Sequence, residues 1–282
     1  MTTYAITGVT GHLGRLVVGE LLARGVPATD VVGLARSPEM AADLGGAVRR
    51  ADYADAASLD PALEGVDVLL LVSGSELGQR VAQHTAVIKA ATAAGVRRVA
   101  YTSIANADGN AGPLTPEHKA TEEALRASGL PFTILRDNWY LENYTGQLPQ
   151  YLAQGEVRGL NGDARIGAAT RADMAGAIAA ALLDDGTVGA TFELSGPPIT
   201  LAGLAATITA VTGTTVVYRN VTAEELTAAL RGSGLDEGTA GFVVALEESV
   251  ARGDLDAPSD DLPRLLGRPA TTLEQALRAA LA

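Results

Sequence analysis

The sequence predicts an α/β fold: a parallel sheet doubly wound by helices, with a smaller C-terminal lobe built onto it. Three observations carry this. Short apolar runs alternate with longer stretches of helical spacing through the first half of the chain. Those runs are near-continuous rather than alternating, as strands covered on both faces are. A glycine turn, ITGVTGHLG from Ile6 to Gly14, lies between the first strand and the first helix. With 282 residues and 47% hydrophobic composition, the chain can bury a large core.

In chain order, residues 4–7 read as a strand and 13–24 as a helix, with Leu13, Leu16, Val17, Leu21 and Leu22 on one face. Strands follow at 31–35, 47–51, 66–72, 98–102 and 132–136. Helices lie between them at 38–44, 57–63, 80–94 and 116–128. Beyond Arg136 the alternation loosens. Helices are expected at 146–155 and 172–183, the latter opened by Thr170 with Asp173 at the capping-box position. A strand at 191–194, helices at 201–212 and 223–231, and a strand at 216–219 complete the reading, with a loop around residues 257–261. Residues 1–142 form the dinucleotide domain, rejoined by a segment at about 164–198; residues 143–163 and 199–282 form the smaller substrate lobe.

Composition excludes several functions. The net charge of −12 argues against general nucleic-acid binding through a basic surface. The absence of cysteine removes disulfides, thiolate metal sites and a cysteine nucleophile, and no metal site is expected. No stretch approaches the roughly 18 apolar residues of a membrane span. MTTYAITG runs straight into a strand with no basic leader, so a cytoplasmic location is expected.

The glycine turn has a physical logic. Gly8 allows the sharp turn after the strand, Gly11 lets a phosphate approach the backbone, and Gly14 spares a collision between helix and sheet. The helix N-terminus then offers free N–H groups and a positive dipole end to a pyrophosphate. This is the Rossmann pattern. The cofactor type follows from the next strand. It ends LARSP, so Arg36 stands where an NAD site carries Asp or Glu. A guanidinium pairs in bidentate fashion with a 2′-phosphate, so NADPH is the expected cofactor. Asp52, Tyr53, Ser73 and Ser75 follow later strand ends, where ligands bind in open α/β sheets.

The GxxGxxG spacing resembles the extended and atypical branches of the short-chain dehydrogenase/reductase superfamily. ITGVTGHLG, LLVSGSELGQR, YTSI, EHKATE, LRDNWYLENY and ATRADMA, in this order, resemble the NmrA-like atypical short-chain reductases over nearly the whole chain. Within these the sequence is most similar to the bacterial quinone oxidoreductases of the type-two class and the triphenylmethane reductases. The resemblance implies hydride transfer from NADPH to a quinone or similar conjugated acceptor. It implies that Gly8, Thr10, Gly11, His12, Leu13 and Gly14 hold the pyrophosphate and Arg36 the 2′-phosphate. It further implies that Asp52 lies beside the adenine, that Ser73 and Ser75 flank the nicotinamide, and that Asn138, Trp139, Tyr140, Glu142 and Asn143 bracket nicotinamide and substrate entrance. Relatives suggest a homodimer, although no interface signature stands out.

Most short-chain dehydrogenases use a Tyr-x-x-x-Lys pair. None of the seven tyrosines here has a lysine four residues on, and the expected place reads Thr115-Pro-Glu-His-Lys119. Ordinary alcohol oxidation and sugar epimerisation are therefore disfavoured. A quinone accepts hydride without that tyrosine, so positioning carries the catalysis. Candidate catalytic groups are His118, facing Glu122 at i+4 as a partner that fixes its tautomer or raises its pKa, and Asn143. His84 and Arg80 are further polar candidates, and Ser103 keeps the position of the usual serine. With only 4% aromatic residues, Trp139, Tyr140 and Tyr144 suggest a wall for a flat ring. The alternatives are a dye reductase and a non-catalytic NADP(H) sensor.

Overall fold

The computed structural model describes residues 1–282. Its elements, in order, are β1 (Tyr4–Thr7), α1 (His12–Ala23), β2 (Val31–Ala35), β3 (Ala47–Arg50), α2 (Ala56–Leu63), β4 (Val68–Leu71), α3 (Arg80–Ala93), β5 (Arg98–Ile104), α4 (Thr115–Ala127) and β6 (Phe132–Asp137). The remainder comprises α5 (Glu142–Thr145), α6 (Leu148–Gln154), β7 (Glu156–Gly159), α7 (Arg171–Leu183), β8 (Thr191–Leu194), α8 (Leu201–Thr212), β9 (Val217–Asn220), α9 (Ala223–Gly232), α10 (Glu237–Ala251), α11 (Asp261–Leu266) and α12 (Leu273–Ala280). Residues 38–44 form a 3-10 segment kinked at Ala41.

The main sheet has the order β3-β2-β1-β4-β5-β6-β8, and every pairing in it is parallel. Successive residues of a strand point to opposite faces, so the inner strands each feed two cores. Ile6, Leu70, Ala100 and Leu135 face α1 and α7; Ala5, Leu69, Leu71, Val99 and Ile134 face α2, α3 and α4. This is why these strands read as unbroken apolar runs. The order reverses direction between β1 and β4, and the crevice beyond their carboxyl ends is where such sheets take ligands.

A third, smaller core gathers α5, α6, α8 and α12 around Leu141, Tyr144, Tyr151, Val157 and Leu204, beside a two-stranded parallel sheet of β7 and β9. The sequence reading omits β7 and α10 to α12. It also places residues 199–282 wholly in the smaller lobe, whereas Leu262 and Ala270 belong to the core of α1 and α7. The capping box at Thr170 is half made. Thr170 accepts from the Asp173 N–H, but the Asp173 carboxylate accepts from Arg268 and the Thr271 N–H instead. No helix is long and apolar enough to cross a membrane, and no group of three or more His, Asp or Glu is placed to hold a metal.

One buried charge network joins β5, α4, β6 and β8. Glu122, fully buried, accepts both arms of Arg136 at 2.9 and 2.8 Å, the Ser103 hydroxyl at 2.6 Å and Arg126 at 3.0 Å. Arg136 also donates to Glu193. Burial alone would raise the Glu122 pKa, but the hydrogen bonds from Arg136 and Ser103 outweigh it and hold the carboxyl below its usual range. Substituting Arg136→Met alone should strand this carboxylate and cost about 3–5 kcal/mol. Thermal denaturation should show a Tm lower by roughly 6–15 °C, largely recovered in the double variant Glu122→Leu/Arg136→Met. A single variant within about 1 kcal/mol of the parent would show that the pair is screened rather than buried.

Candidate active site

The turn after β1 is made by backbone approach. Gly8 has φ +64°, and a Cβ on Gly14 would lie 2.6 Å from the Gly8 carbonyl oxygen and 2.8 Å from that of Thr7. Helix α1 therefore starts directly on the end of β1. Its N-cap, Gly11, gives no side-chain cap, and its first turn carries no acidic residue. The orphan N–H groups of that turn and the dipole end are left for an anion.

A cavity of about 370 Å³ opens in the crevice between β1 and β4, within the range of small-molecule sites. It brings together Gly8, Thr10, Gly11, His12, Leu13 and Gly14 from the turn, Arg36 beyond β2, Asp52 and Tyr53 beyond β3, and Ser73 and Ser75 beyond β4. Tyr53 is also structural: its hydroxyl lies 2.5 Å from Thr7 Oγ1 and 2.9 Å from the Val72 carbonyl oxygen, tying three strand ends together. The lining also includes Glu76, Gln83 and Arg171, which the sequence reading does not single out. Arg36 Nη1 is 2.8 Å from Glu76 Oε1, and Gln83 Nε2 donates to Glu76 Oε2 at 2.7 Å. The stretch ATRADMA was the available signal for Arg171; Glu76 and Gln83 had none beyond their place after β4.

The segment from Gly74 to Gly78 is held from behind by α3 and α4. The Gly74 N–H donates to His84 Nε2 at 2.9 Å, and Arg80 Nε donates to the Gly74 carbonyl. Glu117 accepts from the Gly78 N–H and from Arg80. His84 Nδ1 lies 3.1 Å from Thr121 Oγ1, whose hydroxyl donates to the Glu117 carbonyl. His84 is thus neutral with its proton on Nδ1. Burial, then the nearby Arg80 and His118, push its pKa down to about 3.

His118 differs from the sequence expectation. Glu122 is taken by Arg136, so it does not partner His118. His118 is buried with Nδ1 2.8 Å from the Tyr101 hydroxyl, and burial and Arg80 lower its pKa to about 3 rather than raising it. It is not among the residues lining the cavity. Ser103 gives its hydroxyl to Glu122, and the Thr115 hydroxyl is buried without a partner.

The stretch from Asp137 to Asn143 lies at the carboxyl end of β6, outside the cavity lining. Asn138 is buried: Nδ2 donates to Ser195 Oγ and to the Leu255 carbonyl, and Oδ1 accepts from the Trp139 N–H. The three aromatics do not form one wall. Trp139 and Tyr144 pack into the smaller core, and Tyr140 packs against the core of α1 and α7. Arg171 joins this stretch to the cavity. Its guanidinium stacks 4.4 Å over Tyr140 and donates to Asn143 Oδ1, and its N–H donates to Glu142 Oε1. Beneath it the Tyr140 hydroxyl donates to Asp137 Oδ2 at 3.1 Å, while Asp137 Oδ1 is buried without a partner. Burial raises the Asp137 carboxyl to about 7, against the Tyr140 hydrogen bond.

A family model described as NAD(P)H-binding matches residues 8–185. Quinone oxidoreductase 2 of Escherichia coli strain K12 is 43% identical over 277 residues, covering 97% of this chain and 96% of the relative. The structure of an Escherichia coli NADPH-dependent quinone oxidoreductase complexed with NADPH superposes with a TM-score of 0.95 at 42% identity, covering 99% of this chain and all of that one. The Citrobacter triphenylmethane reductase complexed with NADP(H) gives a TM-score of 0.94 at 34% identity over 99% of this chain and all of that one. The chain belongs to the NAD(P)H-binding family.

Two consequences can be measured. A raised folded-state pKa at Asp137 means that the fold binds a proton the unfolded chain has released, so its cost to stability grows from pH about 4 to about 7 and then levels off. The Tm of Asp137→Asn relative to the parent should therefore shift in the variant's favour over that interval. A difference that does not vary with pH would mean the carboxyl titrates normally. His84→Ala should release the Gly74 N–H and weaken dinucleotide binding about five- to ten-fold by fluorescence titration; parental affinity in a folded variant would remove His84 from this role.

Proposed function

We propose that this member of the NAD(P)H-binding family is a cytoplasmic NADPH-dependent reductase that passes a hydride to a quinone. The observation that carries it is Arg36 at the end of β2, bounding the glycine-turn cavity where an NAD site has a carboxylate. The 43% identity to Quinone oxidoreductase 2 across 97% of the chain supports the acceptor class.

The site fits the cofactor. When bound, NADPH supplies a hydride, and a quinone that takes it needs one further proton to become the hydroquinone. In this reading the uncapped start of α1 and the turn from Gly8 to Gly14 hold the pyrophosphate. Arg36 takes the 2′-phosphate, Asp52 lies on the adenine side, and Ser73 and Ser75 flank the nicotinamide. Residues 1–142 with about 164–198 hold the cofactor, and 143–163 with the part of 199–282 that packs in the smaller core shape the acceptor side.

Asn143 and Glu142 act through Arg171, keeping its guanidinium over Tyr140. His118 supports the fold behind the site, as its buried bond to Tyr101 favours. No phenol-lysine pair is needed, since a quinone is a ready acceptor and water can protonate the product. Rate then comes from orientation of the reacting rings.

The test is NADPH oxidation by the purified protein with a panel of simple quinones and a triphenylmethane dye, with NADH as control. Turnover of quinones with NADPH preferred is expected. Tight binding without turnover of any acceptor would make the protein a sensor, and turnover of the dye alone would move the acceptor class. Arg36→Ala should raise the KM for NADPH by roughly 10–100-fold while leaving that for NADH within about threefold. Equal losses for both would remove Arg36 from phosphate recognition.

A further inference from the structure

We infer that Glu76 tunes the dinucleotide preference of this site by competing with the 2′-phosphate for Arg36; the inference rests on the NADPH reading above. The two side chains meet across the cavity, Nη1 to Oε1 at 2.8 Å, from the ends of β2 and β4. Both are open to solvent, Arg36 at 68% and Glu76 at 47% side-chain exposure, so an incoming ligand can reach either.

The carboxylate is held in place rather than swinging freely. Gln83, buried on α3, donates to its other oxygen at 2.7 Å. The backbone on either side is fixed by His84 at Gly74 and by Glu117 at Gly78. Glu76 therefore presents one oxygen to Arg36 and is steadied through the other.

Charge decides the consequence. Of the two arginines lining the cavity, Arg171 has its guanidinium engaged by Asn143, by Tyr140 and, at 3.6 Å, by Glu142, which leaves Arg36 for the 2′-phosphate. Its charge is met by Glu76. A phosphate carrying about two negative charges must take the guanidinium from that carboxylate or share it against like-charge repulsion. A ribose without the phosphate has a hydroxyl to donate, and Glu76 offers it the acceptor that NAD sites place at the end of the second strand. Here the carboxylate comes from across the crevice, forty positions along the chain. Arg36 favours NADPH, Glu76 opposes that choice, and the observed preference is their difference.

The test is isothermal titration of NADPH, NADH and 2′,5′-ADP against the parent, Glu76→Gln, Arg36→Ala and the double variant. Glutamine keeps the length of the side chain and a hydrogen bond to Gln83, and removes the charge. Glu76→Gln should tighten NADPH and 2′,5′-ADP by about three- to ten-fold without tightening NADH. In the Arg36→Ala background the same change should shift NADPH by less than about twofold, because the competition has lost its object. If Glu76→Gln weakens both dinucleotides alike, or acts equally with and without Arg36, Glu76 only shapes the loop and the inference falls. If Arg36→Ala leaves NADPH binding unchanged, the cofactor reading fails and takes this inference with it. If Arg36→Ala weakens NADPH while Glu76→Gln leaves the preference unaltered, only the role of Glu76 is lost.

Discussion

The contact between the start of α1 and the end of β1 governs the rest of the site. It is a backbone-to-backbone contact, with the Thr7 and Gly8 carbonyls lying where a side chain at Gly14 would stand. No rearrangement of side chains could substitute for it. It aims the free N–H groups of α1 across the carboxyl ends of the strands and sets where an anion can sit. Thr7 extends the constraint sideways, since its hydroxyl accepts from the Val72 N–H and lies beside the Tyr53 hydroxyl. The ends of β1, β3 and β4 are thereby fixed relative to one another before any ligand arrives.

Behind the loop after β4 lies a polar layer whose two histidines are uncharged and whose one cation, Arg80, is paired with Glu117. His84 is edge-on to both Tyr53 and Tyr101, and Tyr101 bonds His118. Both histidines are neutral over the physiological range, because burial disfavours their charged forms. Their use is directional: His84 joins Gly74 of the loop to Thr121 of α4, and His118 joins α4 to Tyr101 of β5. The buried charge of Arg136 is matched by Glu122 and faces structure rather than the cavity. An architecture of this kind suits a reaction in which placing two flat rings matters more than moving protons.

Strands β1, β2, β4, β5 and β6 were legible because both faces of each are buried, which leaves a largely apolar run in the sequence, whereas the edge strand β3, AVRR, is half exposed. The place of the glycine turn and of Arg36 at the cavity was legible because it depends on near neighbours in the chain. Legibility failed where partners come from far away. Spacing alone puts Glu122 on the face of His118, but Arg136, arriving from the next strand, offers a stronger partner. The aromatics of DNWYLENY are adjacent in sequence and diverge in space, because the chain there leaves one core for another. Strand β7 reads EVRG, short and half polar, and pairs only with β9 some sixty residues later. Glu76 and Arg171 acquire their places only when separate strands and helices converge.

The side chain of Asn138 has a consequence of its own. It joins the end of β6 to Ser195 and Leu255, two segments more than fifty residues further on. Next to it Gly196 passes so close to Ala168 that an added methyl would lie 2.1 Å from the carbonyl oxygen. Three passages of the backbone are thus pinned at the junction of the large and small cores. A pivot needs slack chain, and this junction has none, so the two cores behave there as one rigid casting. Exchange of bulky molecules then falls to the periphery, where the exposed side chain of Arg36, rather than the anchored loop after β4, is the part of the wall that can yield.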